Sequence, residues 1–401
     1  MKHANYWHAV IMITGTSIGT GILGLPITTS QAGFWPTILV FIITWLFMTQ
    51  AALYILDMKM HYRNHYTLST LIQLTLGKIG HYSSAFILIV LLYALLSTYI
   101  MTGAAWLKLW LAPTSLLTFH WVAIGFVALF GSILTIKERR IYAINNLLGI
   151  ALAIAFIGMV GLSLWPVNLS LLDYTNPPAI LRSMPLLLTT FGFSVVVPSI
   201  TEYLEYDARQ IKSAIILGSF LALVGYVIWE WVTLGHIPRT GPEGFNVLYR
   251  YGDNGTGVIH AFSVATANRW ATSAGQLFAI FADVTSFFGI ALALMHCLKE
   301  WLPIKTPPHQ KHRVIMFLTL FPPLCVTLFY PQAFVEILSF AGLSVALLLG
   351  LFPALMRIKL SRLKHPKLTM TTCLQPSTLI AILTAVFFSF VMMIEFYNLT
   401  R

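Results

Sequence analysis

Charged residues are scarce in this sequence of 401 residues, of which Asp, Glu, Lys and Arg make up only 9%. Soluble domains carry about 25%. Apolar residues make up 58% of the chain, and the mean hydropathy is +0.80. This composition excludes a soluble globular protein. It predicts an all-α polytopic membrane protein that contacts membrane lipid.

Acidic residues and cysteine are also in short supply. The chain has 13 acidic residues against 24 basic ones, and the basic ones lie in loops between apolar runs, as membrane topology requires. Nucleic acid is therefore not an expected partner. Cys297, Cys325 and Cys373 are widely spaced and form no metal or redox motif, so neither a metal nor another cofactor is expected.

The chain is rich in long runs of apolar residues. About 20 such residues cross a hydrocarbon layer, and eleven runs qualify. They are Trp7 to Thr28, Phe34 to Leu56, Tyr82 to Leu107, Phe119 to Ile136, Ile144 to Trp165, Ile180 to Tyr203, Ile211 to Leu234, Thr272 to Leu302, Val314 to Tyr330, Ala333 to Met356 and Leu379 to Tyr397. We expect an uncleaved first span and one transmembrane domain over residues 1–401.

The distribution of Lys and Arg predicts the orientation. With the N-terminus inside, the inner segments hold eighteen basic residues and the outer ones six, which fits the positive-inside rule. The N-terminus is then cytoplasmic and the C-terminus external. The stretch from Gly235 to Trp270 becomes the one large external loop.

Two of these runs, five spans apart, are interrupted in the same way. The first run contains glycines and a proline from Gly15 to Pro26, and the sixth contains Gly192 and Pro198. Glycine costs about 1 kcal/mol in a helix interior and proline about 3 kcal/mol, so both spans should unwind near the middle. Matching interruptions in two halves of a chain indicate the binding site of an inverted-repeat transporter.

The free backbone groups of such breaks suit a zwitterion. Half-helix carbonyl ends attract an ammonium group, and half-helix amide ends attract a carboxylate. A free α-amino acid carries both. Close helix packing through small residues is the other interpretation of Gly15 and Gly19. The repetition in the partner span favours the binding site.

Seven short motifs, spread over nearly the whole chain, occur together. They are Gly15 to Pro26, Thr190 to Phe193, Val197-Pro198-Ser199, Trp229 with Thr233-Leu234-Gly235, Thr285-Ser286-Phe287 with Gly289, Phe321-Pro322-Pro323 and Phe329-Tyr330-Pro331. In these motifs the chain resembles the hydroxy and aromatic amino acid permeases of bacterial inner membranes, within the amino acid/polyamine/organocation superfamily, and especially the tyrosine-specific and tryptophan-specific permeases.

The resemblance implies a leucine-transporter-like fold and uptake driven by protons. The fold would have a 5+5 inverted repeat, with a first repeat over about 7–165, a second over about 180–356 and an extra helix over about 379–397. Ser194-Val195 departs from the family's pattern after the aromatic-Gly-aromatic triplet, which leaves the preferred side chain open.

Candidate substrate contacts come from the broken spans and from aromatic residues able to stack on an aromatic amino acid. Tyr99 is a further candidate of the second kind. The main set is Thr16, Ser17, Gly19, Thr20, Gly21, Phe191, Gly192, Phe193, Ser194, Tyr93 and Phe287.

Asp283 is the candidate for ion coupling. We interpret it as the only carboxylate that lies well inside a predicted span. An ionisable group there is costly unless it is paired or functional, and burial favours its neutral form. A structural, hydrogen-bonded Asp is the other interpretation. Thr285 and Ser286 are candidate hydroxyl ligands for a cation, which leaves sodium open beside the proton.

The predicted function is import of an aromatic amino acid by cation symport, with tyrosine first and tryptophan or phenylalanine as alternatives. A permease for small hydroxy or branched amino acids, or an amino acid sensor of the same fold, remains open. An enzyme is not expected, because the runs contain no paired carboxylates and no His cluster.

Overall fold

The computed structural model describes residues 2–19, 21–62, 67–111, 118–163, 167–251, 256–302, 308–364 and 376–399. Within these ranges the regular structure is entirely helical. The α-helices are α1 (Lys2–Ser17), α2 (Gly21–Thr29), α3 (Phe34–Tyr62), α4 (Leu68–Leu111), α5 (Phe119–Ile133), α6 (Glu138–Ser163), α7 (Leu169–Leu172), α8 (Met184–Thr190), α9 (Val197–Tyr203), α10 (Ala208–Leu234), α11 (Phe245–Tyr251), α12 (Thr256–Thr266), α13 (Arg269–Trp301), α14 (Pro308–Phe329), α15 (Phe334–Val345), α16 (Phe352–Lys364) and α17 (Pro376–Leu399).

The helices confirm an all-α polytopic membrane protein. In the described ranges, nine helical segments are long and apolar enough to cross a membrane, and α1 with α2 makes a tenth if the bent pair counts as one span. The predicted fourth span corresponds to α5, an apolar helix of 15 residues. The eleven predicted spans thus correspond to ten candidate membrane spans and one shorter helix, α5.

Many apolar side chains face outward, as a lipid-facing surface requires. Phe86, Trp121, Ile154 and Val386 are 69%, 65%, 67% and 60% exposed, respectively. Exposed apolar surface on this scale is rare on soluble monomers. The outer surface of the bundle is therefore suited to hydrocarbon.

Three groups of packed helices form the interior. α13 lies against α6 and α4, α10 lies against α1 and α3, and α15 lies against α4 and α8. α16 also lies against α17. The largest apolar cluster includes residues of α2, α8, α10 and α15, so the two interrupted spans are inside the core rather than at its edge.

One further irregularity was not predicted. The span that starts with α15 changes to a π-helical turn over Ala346–Leu351 before it continues as α16. A π turn contains an additional residue relative to the α-helix and occurs frequently at functional sites. Leu349 of this turn lies next to Gly192, since a Cβ added to Gly192 would be 3.9 Å from Leu349 Cδ1.

Candidate functional site

The first interrupted span separates into α1 and α2, whose axes differ by 51°. The amide of Gly19 donates to Ser17 O over 2.9 Å, and the amide of Ile22 donates to Gly19 O over 3.1 Å. The chain therefore turns tightly through Ile18 and Gly19 before α2 begins at Gly21. The first amides of α2, which have no partner within the helix itself, lie at this point.

The second interrupted span breaks at Phe191 but stays tightly coiled. α8 ends at Thr190, Phe191 has φ −99° and ψ 24°, and Gly192–Val196 forms a 3-10 segment that leads into α9. The break that Gly192 and Pro198 predict is present, but the chain is overwound into a 3-10 turn instead of unwound. A 3-10 turn in mid-helix often marks a functional hinge.

Tyr226 of α10 joins the two breaks. Its hydroxyl lies 2.6 Å from Ser17 O and 2.6 Å from Thr190 O, and its side chain is fully buried. Ser17 and Thr190 are the last residues of α1 and α8, so one hydroxyl reaches the carbonyl ends of both half-helices. A phenolic hydroxyl has one hydrogen, so it can donate a full hydrogen bond to only one carbonyl at a time. The second carbonyl can accept from another donor.

Aromatic rings enclose this junction. Phe191 packs edge to face on Tyr226, with ring centroids 5.1 Å apart, and its ring lies 6.4 Å from that of Phe41. All three side chains are fully buried. Trp229, one turn along α10, donates from Nε1 to Ile22 O over 2.8 Å, which holds the first turn of α2 in place.

A second set of polar groups faces the first break from α4 and α13. A Cβ placed on Gly19 would lie 3.2 Å from Ser286 Oγ and 4.0 Å from the Tyr99 hydroxyl. The two hydroxyls therefore approach the backbone of Gly19 closely. The absence of a side chain at Gly19 leaves room for this approach.

Asp283 lies one helical turn before Ser286 and is fully buried. The hydroxyl of Thr102, on α4, hydrogen-bonds its Oδ1. Gly103 lies against the same carboxyl group, and a Cβ there would overlap Asp283 Oδ2 and the ring of Phe126. The carboxyl group is thus enclosed by α4, α5 and α13, next to the residues that face the break.

Access to the first break differs between its two sides. Every residue from Ile22 to Thr29 of α2 is buried. On the α1 side, Gly15 and Thr16 are exposed, and nothing lies within 4 Å of a Cβ placed on Gly15. The protein therefore encloses α2 but leaves part of the last turn of α1 uncovered.

The remaining predicted contacts lie at varying distances from this junction. Gly21 abuts the end of α8, because a Cβ there would be 3.4 Å from Thr190 Cγ2. Thr16 bonds its own helix at Met12 O. Ser194 is fully buried, and its hydroxyl has no hydrogen-bond partner among the described residues. Thr20 lies outside the described residues.

Three aromatic candidates and one hydroxyl are engaged elsewhere. Phe193 packs in a separate cluster with Ile13 of α1, and Phe287 packs on Phe126 with ring centroids 5.4 Å apart. The Tyr93 hydroxyl donates to Leu318 O of α14 over 2.8 Å. The Thr285 hydroxyl donates to a carbonyl of its own helix, at Phe281. The structure does not bring these four residues to the Tyr226 junction.

None of the described residues at the two breaks has the left-handed backbone conformation that glycine permits. The glycines with positive φ among the described residues are Gly33, Gly77 and Gly241. Instead, the missing side chain of Gly19 lets neighbouring side chains come close to the backbone. Gly192 does not play this part, because a Cβ would fit there.

Sequence reasoning missed two residues of α10. It did not single out Tyr226, and it took Asp283 as the only carboxylate well inside a span. The second statement is wrong, because Glu230 lies in the predicted seventh span and is fully buried. The available signal was its spacing, since Tyr226, Trp229, Glu230 and Thr233 follow the i, i+3, i+4, i+7 pattern of one helix face.

No group of three His, Cys, Asp or Glu residues with metal-binding geometry occurs within the described parts of the chain. The site therefore offers backbone carbonyls, amides, hydroxyls and aromatic rings, with one carboxyl group behind them. These groups can bind and orient an amino acid.

Comparison with known proteins shows the family of the chain. The family model described as the tryptophan/tyrosine permease family matches residues 2–395. A tyrosine-specific transport system 1 of Haemophilus influenzae is 29% identical over 336 residues, covering 83% of each chain. A tryptophan-specific transport protein of the same organism is 29% identical over 376 residues, covering 89% of this chain and 88% of the relative. The low affinity tryptophan permease of Escherichia coli K12 is 28% identical over 379 residues, covering 91% and 89%.

Proposed function

Because this chain belongs to the tryptophan/tyrosine permease family, we propose that it is an aromatic amino acid permease that imports its substrate across the bacterial inner membrane. It is a transporter and not an enzyme. The observation that carries the mechanism is the single Tyr226 hydroxyl placed between the carbonyl ends of two half-helices.

In this proposal the substrate ammonium group binds at Ser17 O and Thr190 O. One of the two carbonyls already takes the Tyr226 hydrogen, and an ammonium group brings three more. The carboxylate lies at the first amides of α2, where the helix dipole favours an anion. Phe191, which packs edge to face on Tyr226, is the ring proposed to stack on an aromatic side chain.

We further propose that a proton, carried by Asp283, couples transport to the membrane gradient. Asp283 is buried beside Thr102 and one turn from Ser286, which faces the break. Movement at the break therefore acts on α4 and α13 around the carboxyl group. Sodium coupling through Thr285 and Ser286 is the second candidate, since both hydroxyls lie on the same helix.

Uptake of radiolabelled tyrosine, tryptophan and phenylalanine into proteoliposomes tests the function directly. We expect accumulation of at least one of them when the outside is made acidic, with no sodium present. A sodium requirement would move the coupling site to Thr285 and Ser286. Competition by unlabelled serine, threonine or isoleucine, with no effect of aromatic amino acids, would overturn the aromatic assignment.

The proposed membrane orientation places α2 and the end of α10 on the outside. Thr240 and Lys359 are exposed residues on opposite sides of the proposed topology. In a background without native cysteine, we expect Thr240→Cys to react with an impermeant maleimide from outside and Lys359→Cys only after permeabilisation. The reverse pattern would invert the proposed direction of transport.

A further inference from the structure

Glu230 is a carboxyl group in an apolar setting for which the mechanism above has no use. Its side chain is 0% exposed and lies near the end of α10. Oε2 is 2.9 Å from the hydroxyl oxygen of Thr29, the last residue of α2. Oε1 has no hydrogen-bond partner among the described residues.

The hydrogen positions decide the protonation state. The Thr29 hydroxyl oxygen is also 2.8 Å from Leu25 O, but a hydroxyl has only one hydrogen to donate. If Glu230 is ionised, the carboxylate and the carbonyl of Leu25 compete for that hydrogen. If Glu230 is protonated, its own O–H donates to Thr29, and Thr29 donates to Leu25. Every hydrogen then has an acceptor.

Burial points to the same state. A buried charge without a partner costs far more than a buried neutral polar group. As a carboxylate, Glu230 would share one hydrogen and leave Oε1 without any. As a neutral carboxyl group, it leaves only a carbonyl oxygen unpaired.

Titratable groups lie on several elements that pack against α10, such as Tyr6 of α1, which contacts Ser213 near the start of α10. α12 and α13 contact Trp229 through Phe262 and Phe278, and they carry His260 and, among others, Arg269 and Asp283. α2 and α7 contain none. On α10 itself, Tyr226 precedes Glu230 by one turn, and His236 follows the helix with Nδ1 2.8 Å from Val232 O. The described titratable groups of the other elements that pack against α10 are Tyr6 and His8 of α1, Tyr54, Asp57, Lys59, His61 and Tyr62 of α3, Arg140 of α6, and Glu202 and Tyr203 of α9.

We propose that Glu230 is a second proton-binding site, whose neutral form fastens the half-helix α2 to α10 and so closes the outer side of the transporter. The role in the cycle rests on the proposed function, whereas the protonation itself does not. When α2 moves away, Glu230 meets the outer solution and loses its proton there. The same side therefore supplies and receives this proton, in contrast to the proton carried by Asp283.

Infrared difference spectroscopy of the full-length protein in lipid tests the protonation without any transport. At neutral pH the spectrum of wild type minus Glu230→Gln should contain the C=O stretch of one protonated carboxyl group. An adjacent pair of threonines provides a matched control. Thr28 and Thr29 both hydrogen-bond Leu25 O, at 3.2 and 2.8 Å, but only Thr29 contacts Glu230.

We expect Thr29→Val to shift that C=O band. Thr29→Ser and Thr28→Val should leave the band in place. A difference spectrum without the band would show that Glu230 is ionised and would overturn the proposal. A band that does not move in Thr29→Val would remove the link to α2 and overturn it as well.

Transport then tests the role of the contact. At a constant pH difference across the membrane, the wild-type uptake rate should fall as both solutions are made more alkaline, because the outer side closes less often. Glu230→Gln keeps a donor toward Thr29 and should lose this dependence while it still accumulates substrate. A pH dependence equal to that of wild type would overturn the role in closure. Failure of wild type to transport any aromatic amino acid would instead overturn the proposed function and leave the infrared result standing.

Discussion

Replacement of Tyr226 by Phe removes one oxygen atom from the junction of the two breaks and leaves the ring packing on Phe191 in place. Two buried carbonyls then lose the hydroxyl that reaches them at 2.6 Å. Ser17 O retains the amide of Gly19 as a donor, so the larger loss is at Thr190 O. A buried acceptor left without a partner costs about 1–3 kcal/mol.

The empty Tyr226→Phe protein should therefore be less stable than wild type by about 1–3 kcal/mol, a factor of about 5 to 150 in the folding equilibrium. If the ammonium group binds at these carbonyls, substrate replaces the lost donor. Saturating tyrosine at about 100 times Kd adds about 2.7 kcal/mol to wild type by mass action. The added stabilisation should be larger in Tyr226→Phe.

Tyr93→Phe is the control, because the Tyr93 hydroxyl also donates to a helix carbonyl, that of Leu318, but away from the breaks. Thermal unfolding of each variant in detergent, with and without tyrosine, measures both effects. The control should lose stability equally in both conditions. An equal substrate response in Tyr226→Phe and Tyr93→Phe would refute ammonium binding at these two carbonyls.

Other substitutions probe the remaining parts of the site. Asp283→Asn should retain exchange of labelled substrate but lose accumulation driven by a proton gradient, and normal accumulation without sodium would remove Asp283 from the coupling role. Gly19→Val should abolish uptake in a folded protein, because its Cβ already approaches Ser286 closely, whereas Gly192→Val should retain part of it; equal uptake by both variants would contradict the geometry. Gly103→Ala should lower the thermal midpoint and impair accumulation, while Gly289→Ala, which meets open space, should do neither; a fully stable and active Gly103→Ala would show that the enclosure of Asp283 is looser than described.

The sequence allowed the fold class and the positions of the interrupted spans to be predicted, because both depend on local composition. Hydrophobic length specifies a span, and Gly192 with Pro198 specifies an interruption. The conformation at Phe191 could not be predicted in this way. Whether a weakened helix opens or tightens to a 3-10 turn depends on what packs around it, and here that is Tyr226 and the π turn.

The partners of the breaks depend on tertiary contacts and were harder to predict. Tyr226 is one of many aromatic residues, and its only local distinction is the helix face that it shares with Trp229, Glu230 and Thr233. Glu230 lies between Trp229 and Trp231 near the end of a span, a setting typical of the membrane interface. Only the packing of α2 against α10 shows that this carboxyl group is buried.

The π turn over Ala346–Leu351 lets the two halves of one span present different faces to their neighbours. In a uniform α-helix the directions of these faces would be fixed relative to each other. Each residue of an α-helix advances the side chains by about 100°, so one additional residue rotates everything beyond the turn by roughly that angle. Before the turn, Gly342 lies against the backbone of Pro185, and within it Gly350 lies against the ring of Phe388. A helical wheel drawn straight through this span would therefore assign the second half to the wrong neighbours, and the inserted residue allows one continuous span to fit both α8 and α17.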